Sequence, residues 1–265
     1  MRKIKKETWW KSSVVILCAL TLLLSVCPIQ YADNTRRNVW LASIVQQSLG
    51  FFAVVVLCKI LKLRIFGKIS GWIYILPCLI VAIDNFQFYA YFQGKMQWIT
   101  FEWVDVCLFV LYCICIGLFE EAVFRGVVFS VIAGYFSKDK EGLIKALVVS
   151  SFIFGLAHLF NLFYGAGFLG TLLQVFYTTL TGGLFAFVFI KTKNILVPAF
   201  LHAVYNFCGL LFTVQGLGTG AVLDFGTGLI MAIVSVCAGA FVLYSLCKHP
   251  ENERKELYIR LNLEK

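Results

Sequence analysis

Residues 106–136 read VCLFVLYCICIGLFEEAVFRGVVFSVIAGYF, an apolar run with Glu120, Glu121 and Arg125 near its middle. An ionised side chain at the centre of a bilayer costs about 2.5 to 3.5 kcal/mol on insertion scales, so three so close together demand a reason. Two further apolar segments carry proton-handling groups. His158 lies in the run 147–164, and His202, with Asn206 four residues later, lies in 195–214. Three separate segments thus each bring a side chain suited to activating water inside a membrane.

The rest of the chain fits that setting. Of its residues 60% are hydrophobic and 14% charged, against about 25% charged in globular domains, and the apolar residues fall in runs near the length of a bilayer crossing. The expected fold is an all-α polytopic bundle of about eight spans: 14–30, 39–61, 71–91, 106–136, 147–164, 170–190, 195–214 and 226–247. With the N-terminus inside, 19 Lys and Arg residues fall on the inner side and only Arg36, Arg37 and Lys95 on the outer side. This is the positive-inside pattern, and it puts both termini in the cytoplasm. The net charge of +9 therefore reflects topology, and no nucleic-acid partner is expected, since that would require a basic face on a soluble domain.

The fourth run, at roughly 46 Å as a helix, is long enough to raise the question of two crossings broken at the acidic pair. Each half would be too short, and a split would move most positive charge outside, so one tilted or overhanging helix is expected. The first run follows Met1-Arg-Lys-Ile-Lys-Lys and resembles a signal peptide, but it lacks a clean small-x-small cleavage site and reads better as a signal anchor. The ten cysteines lie within or beside apolar runs without a CxxC pair, as packing residues do. The glycine-rich stretch 215–220 follows a membrane helix and no strand, so it reads as a turn and not a phosphate loop. Trp9, Trp10, Trp98 and Trp103 read as interfacial anchors, and Asp84 is an intramembrane acid with no assigned role.

On a helix Glu121 and Arg125 are i and i+4 with the acid first, the favoured order for an ion pair. Such a pair has a structural reading of its own, while Glu120, about 100° around the helix, faces elsewhere. Gly155 and Ala157 just before His158 offer a small surface for helix approach. His202 and Asn206 share one face of their helix. A carboxylate and an imidazole can move a proton from water to a leaving group, while a second imidazole and an amide donate to an oxyanion. Alternatively, Glu120, His158 and His202 form a ligand set for a divalent metal such as zinc, although no H-E-x-x-H motif is present.

Glu120-Glu121-Ala-Val-Phe-Arg125, Phe154-x-x-x-His158 and His202-x-x-x-Asn206, in this order on three helices, resemble the motifs of the CPBP family of CAAX prenyl endopeptidases and bacteriocin-processing or immunity proteins. The resemblance covers residues 110–214. It implies an intramembrane endopeptidase in which Glu120 and His158 activate water, His202 and Asn206 stabilise the oxyanion, and Glu121 and Arg125 support them. It also implies a membrane-associated or lipidated peptide or protein substrate, the bilayer as surroundings, and a bacterial plasma membrane. The chain then divides into N-terminal spans (1–105), a catalytic core (106–214), and a last span with a basic tail (215–265). Two other functions compete: a family fold acting by binding, as an immunity or regulatory partner, and a proton-coupled transporter. The transporter would want inverted repeats or broken helices that the sequence does not show.

Overall fold

In a computed structural model, residues 35–219, 225–248 and 250–263 are described. The described residues form helices and no named strand. Among the described residues, six helical stretches are long and apolar enough to cross a membrane: Arg36–Ile60, Trp72–Phe92, Trp103–Ala133, Lys140–Phe163, Phe168–Thr192 and Gly226–Cys247. This is the architecture of a multi-pass membrane protein. The first expected span, the signal-anchor reading, Trp9 and Trp10 lie outside the described residues.

Helix α1 (Arg36–Ile60) is followed by a third expected span that is broken in two. Helix α2 (Ile75–Asp84) stops, Gln87 takes a left-handed backbone with φ 58°, and α3 (Phe88–Phe92) begins. Asp84 therefore ends a half-helix. The run 106–136 is a single helical rod, as its charge balance requires. Helix α4 (Trp103–Glu121) passes into a π-helical stretch (Ala122–Val128) and then into α5 (Phe129–Ala133). The π turn was not legible in the sequence. Wider turns of this kind are rare and recur at functional sites, and this one begins at the residue after the acidic pair.

Helix α6 (Lys140–Ala157) starts at Asp139, whose carboxylate accepts the Gly142 N–H at 2.7 Å and the Ser137 hydroxyl at 2.8 Å. These contacts hold the Asp139 carboxyl below the usual carboxylate range. It runs into a 3₁₀ stretch (His158–Tyr164), and α7 (Phe168–Thr192) returns. The seventh expected span is shorter than the sequence suggested. Helix α8 (Leu196–Leu210) has 15 residues, or about 22 Å, against about 30 Å of hydrocarbon. Residues 211–218 do not extend it, because the chain folds back and the Leu217 N–H bonds the Leu211 carbonyl at 2.7 Å. The glycine-rich stretch is a turn there, with Gly218 bridged to Trp98. Helix α9 (Phe225–Cys247) and α10 (Glu251–Arg260) complete the described chain. The tail was expected as a basic segment only; α10 in fact buries Leu257 and Tyr258 in the main apolar core.

Two close approaches fix the bundle's centre. A Cβ on Gly117 of α4 would sit 2.5 Å from the Ala199 carbonyl oxygen and 3.0 Å from the Ala203 nitrogen of α8. A Cβ on Gly155 of α6 would meet Thr179 Oγ1 at 2.0 Å and the Val175 carbonyl at 2.7 Å on α7. Gly117 packs against the backbone of α8 and Gly155 against a side chain and a carbonyl of α7, close approaches that small residues allow, and the second bears out the expected role of Gly155. The described cysteines are all free.

Candidate active site

The two contacts place the chemistry. Gly117 lies one turn before Glu121, while Ala199 and Ala203 flank His202, so tight packing of α4 on α8 brings acid and imidazole together. Glu121 Oε1 accepts a hydrogen bond from His202 Nδ1 at 2.8 Å, and Arg125 Nη1 lies 2.8 Å from the same oxygen. Both members of the Glu121–Arg125 pair are buried, at 0% and 2% side-chain exposure. The expected i,i+4 ion pair is present, and Glu121 carries a second partner that helical spacing alone could not reveal.

The guanidinium is enclosed. Arg125 Nη2 donates to the Gly182 carbonyl at 3.0 Å, and its Cζ lies 4.4 Å from the centre of the Phe154 ring and 5.5 Å from that of Phe185. Phe185 also stacks on His202, with ring centres 5.1 Å apart and planes at 24°. One buried cation thus gains a carboxylate, a carbonyl and two aromatic faces, which together offset its desolvation. Phe154 belongs to the motif quoted above. Phe185 and Gly182 were not singled out from the sequence, though the Gly182-Gly183 pair is a signal for close helix approach.

Glu120 points elsewhere, as its angular offset from Glu121 predicts. Its side chain is 24% exposed and its Oε2 lies 3.8 Å from His202 Nε2. His158 Nδ1 is 3.1 Å from the Phe154 carbonyl. A carbonyl only accepts, so Nδ1 carries the proton and Nε2 keeps its lone pair. Glu120, His158, His202 and Asn206 all line one cavity of about 770 Å³. The four expected site residues are therefore gathered from α4, the end of α6, and α8, while Glu121 and Arg125 lie behind them. Asn85, Gln87, Asn161 and Gln174 line the same cavity, and none of these was read from the sequence as part of a site. Among the described residues no three His, Cys, Asp or Glu side chains are grouped so as to hold a metal ion.

Residues 102–208 match the sequence model of a family described as type II CAAX prenyl endopeptidase Rce1-like. This stretch is therefore similar to an Rce1-like domain. It contains Glu120, Glu121, Arg125, His158, His202 and Asn206, and it matches the expected resemblance to the CPBP proteases at the level of family. No curated protein and no solved structure matches the chain. The Rce1-like family is one of CAAX-type proteases, and the matched stretch lies among helices long and apolar enough to cross a membrane.

Proposed function

We propose that the protein is an intramembrane endopeptidase that hydrolyses a peptide bond of a membrane-associated peptide or protein, with Glu120, His158, His202 and Asn206 as its catalytic residues. The reading rests on one observation: these four side chains, from three helices, line a single cavity large enough for a peptide segment. A water held between the Glu120 carboxylate and the unprotonated Nε2 of His158 gives one proton to the Glu120 carboxylate as its oxygen attacks the scissile carbonyl carbon. The carbonyl π electrons move to oxygen. Asn206 donates its amide N–H to that oxyanion, and His202 donates from Nε2. Because His202 Nδ1 already bonds Glu121, donation from Nε2 requires a doubly protonated ring, and the Glu120 and Glu121 carboxylates on its two sides together balance that ring and Arg125. Collapse of the tetrahedral intermediate breaks the C–N bond, and the proton taken from water passes to the leaving nitrogen.

Glu121 and Arg125 act through His202 and are positioning residues in this scheme. The ion pair orients the imidazole, and the Phe154 and Phe185 rings fix its plane. The test is cleavage of peptide libraries by the purified protein in detergent, comparing wild type with Glu120→Gln, His158→Ala and Asn206→Ala. Loss of turnover by orders of magnitude with Glu120→Gln and His158→Ala, at unchanged folding, supports the proposal. A cellular phenotype such as bacteriocin protection that survives both substitutions at wild-type level would make the chain a binding partner instead.

A further inference from the structure

The cavity has a direction. Its floor is made by Glu120, His158 and His202, and its walls rise along α8 past Asn206 to Leu210 and the turn residue Gln215. From His202 to Leu210 is about 12 Å of helix. Every other helix that contributes does so toward the same end: Gln87 follows the end of α2, Gln174 lies near the start of α7, Met231 lies near the start of α9, and Gly165 is in the loop after α6. This end of the bundle carries Arg36, Arg37 and Lys95. The other end carries Lys59 to Lys68, Lys138 to Lys145, Lys191 and Lys193, and Lys248 to Arg260. By the positive-inside rule the Lys-rich end is cytoplasmic.

At the Lys-rich end a seam of hydrogen bonds separates the α7–α8 connection from the cavity. The loop after α1 lies across the α7–α8 connection: the Gly67 N–H bonds the Lys193 carbonyl at 2.9 Å, Asn194 Nδ2 bonds the Gly67 carbonyl at 2.7 Å, and the Ile195 N–H bonds the Ile65 carbonyl at 2.9 Å. Helix α10 braces this seam through Lys193 with Glu256 at 2.6 Å and the Arg64 N–H with the Arg260 carbonyl at 3.1 Å. No residue of this seam lines the cavity.

We infer that the cavity takes its substrate from the extracytoplasmic side of the membrane, as a polypeptide segment recognised through its backbone, and not as a C-terminus delivered from the cytoplasm. The upper wall suits an uncharged peptide chain. It is lined by side-chain amides, each able to donate and accept, with Asn161 Nδ2 donating to Gln174 Oε1 at 2.8 Å. Gln87 Oε1 is buried there without a hydrogen-bond partner. A buried acceptor left open costs free energy unless an N–H fills it, and the N–H of an extended peptide is such a donor. This inference rests on the proposed proteolysis for its substrate, but its direction rests on geometry and charge alone.

Single cysteines at Gln174 and Gln215, and at Lys62 as the opposite-face control, in a chain otherwise lacking cysteine, separate the two sides. A membrane-impermeant maleimide added to intact cells should modify Gln174→Cys and Gln215→Cys and spare Lys62→Cys, with the pattern reversed for Lys62→Cys in inverted vesicles. Modification of Gln174→Cys and Gln215→Cys from the cytoplasmic side only would overturn the inference. Should the cysteine-free chain fail to accumulate, an epitope inserted at Gly167 in the otherwise wild-type protein reports the same side, and must be exposed on intact cells. A second arm adds a peptide cleaved by the detergent-solubilised protein to right-side-out and to inverted vesicles. Cleavage in inverted vesicles alone would refute the direction while leaving proteolysis standing. Outward labelling without cleavage in any preparation, detergent included, would instead refute proteolysis.

Discussion

Glu121 and His202 meet across α4 and α8 at 2.8 Å, and the oxygen that accepts the imidazole N–H also faces Arg125. One carboxylate therefore both neutralises a buried cation and orients a candidate catalytic ring. Glu121→Gln keeps an oxygen for His202 but removes the negative charge that faces both Arg125 and the imidazole, so stability falls as well as turnover. The proposed mechanism expects kcat to fall by about 10² to 10³ with little change in KM, as when one oxyanion donor is lost. Steady-state kinetics normalised to the amount of folded protein would check this, and a pure KM effect would remove Glu121 from the scheme.

Arg125→Ala should act on the fold first. It strands Glu121 in a site with 0% side-chain exposure and removes the cation between Phe154 and Phe185, a class of change that costs about 3 to 5 kcal/mol. Abundance in the membrane and the thermal midpoint in detergent should drop, and Arg125→Lys should recover little, because an ammonium cannot stack on two rings and reach Gly182 at once. Normal accumulation of Arg125→Ala with lost activity alone would contradict the structural part of its role.

Gly117→Val should separate α4 from α8, since even a Cβ would lie 2.5 Å from the Ala199 carbonyl oxygen. Overpacking of this kind costs about 1 to 3 kcal/mol. The Glu121–His202 hydrogen bond lengthens with it, so activity should fall more than the abundance of folded protein does. Gly94→Ala, with nothing within 4 Å but φ of 68°, is the contrasting substitution: backbone strain without displacement of the site, hence unchanged kcat.

The Asp139 cap gives a pH signature distinct from that of the site. Its carboxyl is held low by the Gly142 N–H and the Ser137 hydroxyl. A depressed folded value means the cap's contribution is fully present above the ordinary carboxylate range and disappears as pH falls through the folded value. Asp139→Ala should therefore lower the thermal midpoint at neutral pH, and the gap to wild type should close in acid. A gap that does not narrow at all as the solution is acidified would show that the carboxylate is not what caps α6.

Chelation should leave the purified activity largely intact, because Asn206 suits an oxyanion better than a zinc shell. Loss of cleavage on prolonged chelation, restored by zinc, would move Glu120, His158 and His202 into the role of metal ligands.

The sequence by itself determined the membrane setting, the single long fourth helix, the Glu121–Arg125 pair, and the three helices that carry Glu120, His158, and His202 with Asn206. These follow from interactions local in sequence: hydropathy over a crossing, charge balance between neighbouring loops, and the 3.6-residue turn that sets i and i+4 on one face. Only the tertiary structure decided that Glu121 serves His202, that Phe185 and Gly182 complete the cage around Arg125, and that α8 stops at Leu210 where the chain folds back on itself. It alone revealed the break at Gln87 and the docking of α10. Each depends on which surfaces meet across the bundle, and that is set by backbone approach at Gly117 and Gly155 between helices distant in sequence, where no local periodicity carries the information.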